Sequence, residues 1–90
     1  LNTFPLRARL AKQLVRLVRS YGVPSLADAR EMRISLHLAQ EELAQLLGAS
    51  RQRVNQELKA MEREESIRIE PGGLVIRNRD ALMRISEADN

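Results

Sequence analysis

From residue 5 to residue 21, apolar side chains recur at spacings of three and four, at Leu6, Leu10, Leu14, Leu17, Val18 and Tyr21. That period predicts an amphipathic helix. Thr3 stands where it can cap the start, Pro5 suits the first turn because its missing N–H would have no intrahelical partner there, and Gly22 with Pro24 ends the helix. The other face carries Arg7, Arg9, Lys12, Arg16 and Arg19, with no acid among residues 1–20. It reads either as a solvated face or as a contact for phosphate or an acidic neighbour. Residues 22–32 are polar, with early glycine and proline, and predict a surface connection holding a helical turn at 26–30. Residues 33–38 alternate Arg, Ile, Ser, Leu, His, Leu, the period of a half-buried strand that turns His37 to the polar face with Arg33 and Ser35.

Two short helices are predicted next, at about 40–47 and 51–64, separated only by Gly48, Ala49 and Ser50. A three-residue turn containing glycine between two helices is the helix-turn-helix pattern. Leu43, Ala44 and Leu47 line the inner side of the first, and Val54, Leu58 and Met61 that of the second, for which Ser50 is the predicted N-cap. Gly48 supplies the left-handed conformation that so tight a turn needs. Beyond Glu64 the period changes to two. Ile67 and Ile69 alternate with Arg68 and Glu70, Pro71-Gly72-Gly73 turns the chain, and 74–76 returns, which predicts a β-hairpin over 67–77. Asp80 is then placed to cap a last helix at about 80–86, with Leu82, Met83 and Ile85 on its apolar face. The predicted fold is mainly α with a small β component: a winged helix-turn-helix, with a three-helix core and a hairpin wing.

Composition narrows the function. Ninety residues, 43% hydrophobic and 30% charged, make one domain (1–90) with one small core and little room for a deep catalytic cavity. The absence of cysteine removes disulfides, thiolate metal sites and cysteine nucleophiles, and a single histidine argues against a histidine-built metal centre or a triad. The paired acids Glu41 and Glu42, and the group Glu62, Glu64 and Glu65, lie at helix ends with no base nearby. The first pair suits the positive end of a helix, whereas the second lies at the disfavoured end. An enzyme is not expected, nor a cofactor or metal in this domain. No apolar run approaches the length of a membrane span, so a soluble, cytoplasmic protein is expected. Leu1 in place of an initiating methionine reads as a piece of something longer. The net charge of +3 suggests a polyanionic partner.

The outward face of the second motif helix sharpens that suggestion. With the core positions removed, Arg51, Gln52, Asn55, Gln56 and Lys59 share one side near its N-terminal half, all hydrogen-bond donors and none acidic. In helix-turn-helix docking this end enters the major groove, where arginine pairs with guanine, and asparagine or glutamine with adenine. Arg51, Gln52, Asn55 and Gln56 are the candidate base readers. Ser50 and Lys59, with Arg68 and Arg77 on the hairpin, are the candidate phosphate contacts. The competing reading is a winged helix that docks its polar helix face on an acidic protein, which a steep salt dependence would distinguish from DNA binding.

The string LAQEELAQLLGASRQRVNQELKAMEREESIRIEPGGLVI, with Leu43, Ala44, Gly48, Ser50, Arg51, Val54 and Leu58 in place, resembles the C-terminal domain of the cyclic-AMP receptor protein and fumarate and nitrate reduction regulator family. The likeness spans about residues 9–85, RLAKQLVRL included. It implies a winged-helix transcription regulator, homodimeric on a two-fold operator, with a sensing β-barrel and a dimerisation helix ahead of Leu1. It also implies that Arg51 reads a base and that the loop at 21–32 is where an activator touches RNA polymerase. Four positions depart from the family pattern. Gln52 replaces a frequent glutamate and Gln56 a basic reader, so a different half-site is expected. Ala39 stands where threonine usually caps the first motif helix, an expected loss of about 0.5–2 kcal/mol. Glu65 stands where glycine is common, which implies either a strained left-handed residue or a different turn.

Overall fold

The computed structural model describes residues 5–87. The first helix, α1 (Leu6–Tyr21), buries Ala8, Leu10, Ala11, Leu14, Val15, Leu17 and Val18, a wider stripe than the leucines alone suggested. Tyr21 is not part of it and stands exposed. Pro5 is the N-cap, without a side-chain hydrogen bond, and the cap expected from Thr3 lies outside the described residues. Gly22 ends α1 by donating its N–H to the Val18 carbonyl at 2.7 Å. A Cβ at Gly22 would run into that same carbonyl, so close approach selects glycine here although its φ is −73°.

The stretch after α1 departs from expectation. No helical turn forms at 26–30. Val23–Pro24 instead makes a short strand, β1, and the chain reverses through a turn in which Asp28 Oδ1 accepts the Arg30 N–H at 2.9 Å. A carboxylate two residues ahead of a free N–H favours that local bond over a helix. The alternation at 33–38 is also only half a strand. β2 covers Met32–Ser35, and α2 (Leu36–Leu47) begins at once, with Ser35 Oγ accepting the Leu38 N–H at 3.2 Å. Leu36, Ala39, Leu43 and Leu47 continue one helical stripe, and serine is a strong N-cap, so the helix starts four residues before Gln40. Ala39 is therefore a fully buried interior residue and not a lost cap, and His37 is an exposed residue of the first helical turn.

The recognition segment is α3 (Arg51–Arg63), followed by β3 (Ile67–Glu70), β4 (Gly73–Ile76) and α4 (Arg79–Glu87). All pairings are antiparallel, in the order β1-β2-β4-β3, so the wing hairpin is half of a four-stranded sheet. Ile34, Leu74 and Ile69 lie abreast across the inner face, as do Met32, Ile76 and Ile67, and this face closes over the helices. The last helix packs against α1, capped by Asn78, whose Oδ1 accepts the Ala81 N–H at 3.0 Å; Asp80 sits in its first turn and is not the cap.

The two helices of the motif end alike. Gly48 at φ +62° brings the Ala49 N–H to the Ala44 carbonyl, and Glu65 at φ +65° brings the Ser66 N–H to the Met61 carbonyl, each at 3.1 Å. Glu65 thus takes the left-handed conformation directly. The acids at the end of α3 have their own partners: Glu62 Oε2 accepts the Ile69 N–H at 3.0 Å along the open edge of β3, and Glu64 pairs with Arg7.

Candidate nucleic-acid interface

Val54, Leu58 and Met61 are buried and set the rotation of α3, which leaves Arg51, Gln52, Gln56 and Lys59 exposed and Asn55 half-buried. Ser50 Oγ accepts the Arg53 N–H at 3.1 Å and so fixes where the helix begins. Its hydroxyl hydrogen remains to donate, beside the free N–H groups and partial positive charge of the helix N-terminus. Gln52, Asn55, Gln56, Lys59 and Arg63 line an open concavity along this face. Arg63 continues the spacing of three and four beyond the expected set.

The side chains on this face of α3 are not oriented by α3 alone. The Arg51 guanidinium donates to Gln40 Oε1 at 2.7 Å and to Glu41 Oε1 at 3.2 Å, and the Gln40 amide donates to Asn55 Oδ1 at 2.9 Å. Arg51 keeps further N–H donors, whereas the Asn55 oxygen is occupied and its amino group is left to face a partner. Gln40 and Glu41 were not foreseen as site residues. Placing them needs the crossing of α2 and α3, which brings residues 40 and 41 to the head of α3.

The wing supplies position more than charge. Its turn has Gly72 at φ +69°, and the Gly72 carbonyl accepts the Leu36 N–H at 3.2 Å, which ties the tip to the start of α2. On the outer face, Arg33 bonds Glu70 Oε1 at 2.9 Å, and Arg68 bonds Glu70 Oε2 at 3.3 Å and Glu31 Oε1 at 3.1 Å. These bonds, from Arg33 first and then Arg68, hold the Glu70 carboxyl below the usual carboxylate range. Arg68 is raised above its ordinary value by Glu31 first and Glu70 second. Arg77 follows Ile76 at the base of the hairpin, the end of the strands away from Gly72. The structure therefore gathers Ser50, Arg51, Gln52, Asn55, Gln56 and Lys59 on one face, and leaves Arg68 and Arg77 apart from them. Among the described residues no cluster of His, Cys, Asp or Glu is arranged to hold a metal, and no helix is long and apolar enough to cross a membrane.

Residues 8–85 match the Crp-like helix-turn-helix domain family. The chain belongs to that family. This Crp-like domain is 37% identical over 76 residues to a CRP-like cAMP-activated global transcriptional regulator of Mycobacterium tuberculosis, a match covering 84% of the chain and 33% of that protein. It spans about a third of the length of the curated relatives it matches. The catabolite activator protein of Thermus thermophilus superposes with a TM-score of 0.72 at 29% identity, covering 92% of this chain and 34% of the other. Another transcriptional regulator of the CRP/FNR family from the same organism superposes with a TM-score of 0.82 at 21% identity, covering 98% and 43% respectively, and supports the fold of this Crp-like domain.

Proposed function

We propose that the domain binds double-stranded DNA with sequence preference and serves as the reading head of a transcription regulator. The observation that carries this is the exposed face of α3, rich in donors, free of acids and headed by the Ser50 cap. In this reading α3 lies in the major groove, Arg51, Gln52, Asn55 and Gln56 meet base edges, and Ser50 and Lys59 meet phosphate. Arg63 extends the phosphate track. Arg68 is engaged by two carboxylates and Arg77 is at the far end of the wing, so the expected phosphate roles of these two draw no support from the arrangement. No bond is made or broken, and no cofactor is needed in this domain.

For the wider assembly we propose the arrangement that the resemblance implies. The whole protein is a cytoplasmic homodimer on a two-fold operator, with half-sites about 34 Å apart, the repeat of the duplex. The stretch 21–32 meets RNA polymerase, a reading supported by the exposed side chains of Tyr21, Val23 and Leu26.

The deciding experiment is selection from a random duplex library at low salt, with wild type and Arg51→Ala in parallel. Enrichment of a half-site containing a guanine that the variant no longer selects is the expected result. No enrichment, even with two domains tethered, would overturn the reading in favour of docking on an acidic protein.

A further inference from the structure

A second cleft, of about 350 Å³, lies away from α3 where the C-terminal half of α1, the wing-distal ends of β2 and β4 and the start of α4 meet. Its floor is apolar: Val15, Val18 and Ile76, all largely buried, with Met32. Four arginines, Arg19, Arg30, Arg77 and Arg79, also line it. Arg30 is matched by Asp28, through bonds of 3.1 Å from both Nε and Nη2. Arg19, Arg77 and Arg79 make no side-chain hydrogen bond or ion pair among the described residues. This differs from the outer face of the sheet, where Arg33 and Arg68 are each matched by glutamates.

We propose that this cleft is a binding site for a small amphiphilic organic anion, a carboxylate or phosphate on a compact hydrocarbon body. Guanidinium groups that share one cleft without a counter-charge suit planar oxyanions, which they recognise by paired N–H donors. An apolar floor adds affinity for the attached hydrocarbon and excludes a bare, strongly hydrated ion as the best occupant. The volume is at the lower end of the roughly 300–1,000 Å³ typical of small-molecule sites. It is too small for a polypeptide to bury the roughly 800 Å² per partner of a stable interface within it. An occupant would touch α1 and the wing sheet together, so binding adds a bridge between the helical core and the element whose tip abuts α2.

Sodium octanoate is a suitable probe, with inorganic phosphate as the head alone and 1-octanol as the uncharged body. Titration of the methyl-labelled domain is expected to shift Val15, Val18, Met32 and Ile76 saturably below about 1 mM octanoate, with each control weaker by about tenfold or more. Arg19→Ala combined with Arg79→Ala should weaken octanoate about tenfold, the scale of one lost charge-assisted contact. Both arginines are exposed, and Arg79→Glu, which also leaves the core untouched, gives an independent reading if the double variant unfolds. The proposal is overturned if octanoate leaves the four methyls unmoved, if phosphate binds equally well, or if the arginine variants bind octanoate as wild type does. An acidic peptide of alternating glutamate and leucine that moves these methyls where octanoate does not would also overturn it, and would assign the cleft to a protein segment.

Discussion

Arg51, the first residue of α3, donates to the side-chain oxygen of Gln40 in α2 at 2.7 Å, so the leading candidate reader is oriented by the helix that precedes it. Glu41 adds a carboxylate to the same guanidinium at 3.2 Å. The guanidinium is thereby held before any partner arrives, which lowers the side-chain ordering needed on binding.

Removing that reader should act on sequence preference. Arg51→Ala is expected to lose about 1–3 kcal/mol of discrimination at one guanine-containing base pair. Lys59→Ala should weaken all duplexes alike and reduce the slope of log K against log salt by about 0.9, one released counterion. Competition binding on a half-site and its point variants, repeated at three salt concentrations, checks both. A uniform loss for Arg51→Ala would contradict its assignment.

The two supporting residues should separate. Glu41→Gln removes a negative charge that stands against incoming phosphate and is exposed enough to be screened, so affinity should rise by a few fold, in keeping with about 0.2–1 kcal/mol for an exposed pair. Gln40→Ala frees the Asn55 oxygen, allowing it to accept from adenine N6 while its amino group donates to N7. Preference at the base step assigned to Asn55 in the proposed docking should then shift toward adenine. Selection with each variant tests this, and an unchanged logo for Gln40→Ala would show that the amide contact has no bearing on readout.

Backbone strain predicts a stabilising substitution. Glu65 holds the left-handed conformation at φ +65°, which costs an ordinary residue about 1–2 kcal/mol. Glu65→Gly should raise stability by about 1 kcal/mol or slightly less, since glycine also gains unfolded-state entropy. Ser35→Ala and Ser50→Ala, which remove the caps of α2 and α3, should each cost about 0.5–2 kcal/mol. Urea denaturation with a common m-value reads all three.

Acid sensitivity should trace partly to the outer face of the sheet. The Glu70 carboxyl is lowered by Arg33 and Arg68, so its contribution is present above the ordinary glutamate value of 4.5 and is lost as pH falls through the lower folded value. Glu70→Gln should therefore lose less stability than wild type between pH 6 and pH 3, reading pH roughly across the carboxylate range. Parallel pH-dependent denaturation curves for the two proteins would remove Glu70 from the acid response.

The helical part of the fold was legible because α1 and α3 carry sustained apolar stripes, and because Gly48 and Ser50 mark the turn between helices. The start of α2 was not, because Leu36 and Leu38 fit a period of two as well as a helix. The choice is made by Ser35, whose capping bond depends on where the chain leaves the sheet. The face of α3 could be read from spacing alone, since buried Val54, Leu58 and Met61 fix it. The Gln40–Arg51–Asn55 chain could not, because it joins residues from two helices through a crossing that sequence does not display. Nor could the partners of Arg68, because Glu31 lies 37 residues away in a segment without a periodic signal.

The position of β2 between β1 and β4 has a mechanical consequence. Met32 through Ser35 are zipped to Gly73 through Ile76 along the full strand, and Val23 and Pro24 are zipped to the other side of β2. β2 therefore joins the connection after α1, through its own ladder, to the hairpin whose tip at Gly72 rests on the first turn of α2. The exposed apolar loop and the hairpin tip are thus two ends of a single hydrogen-bonded plate.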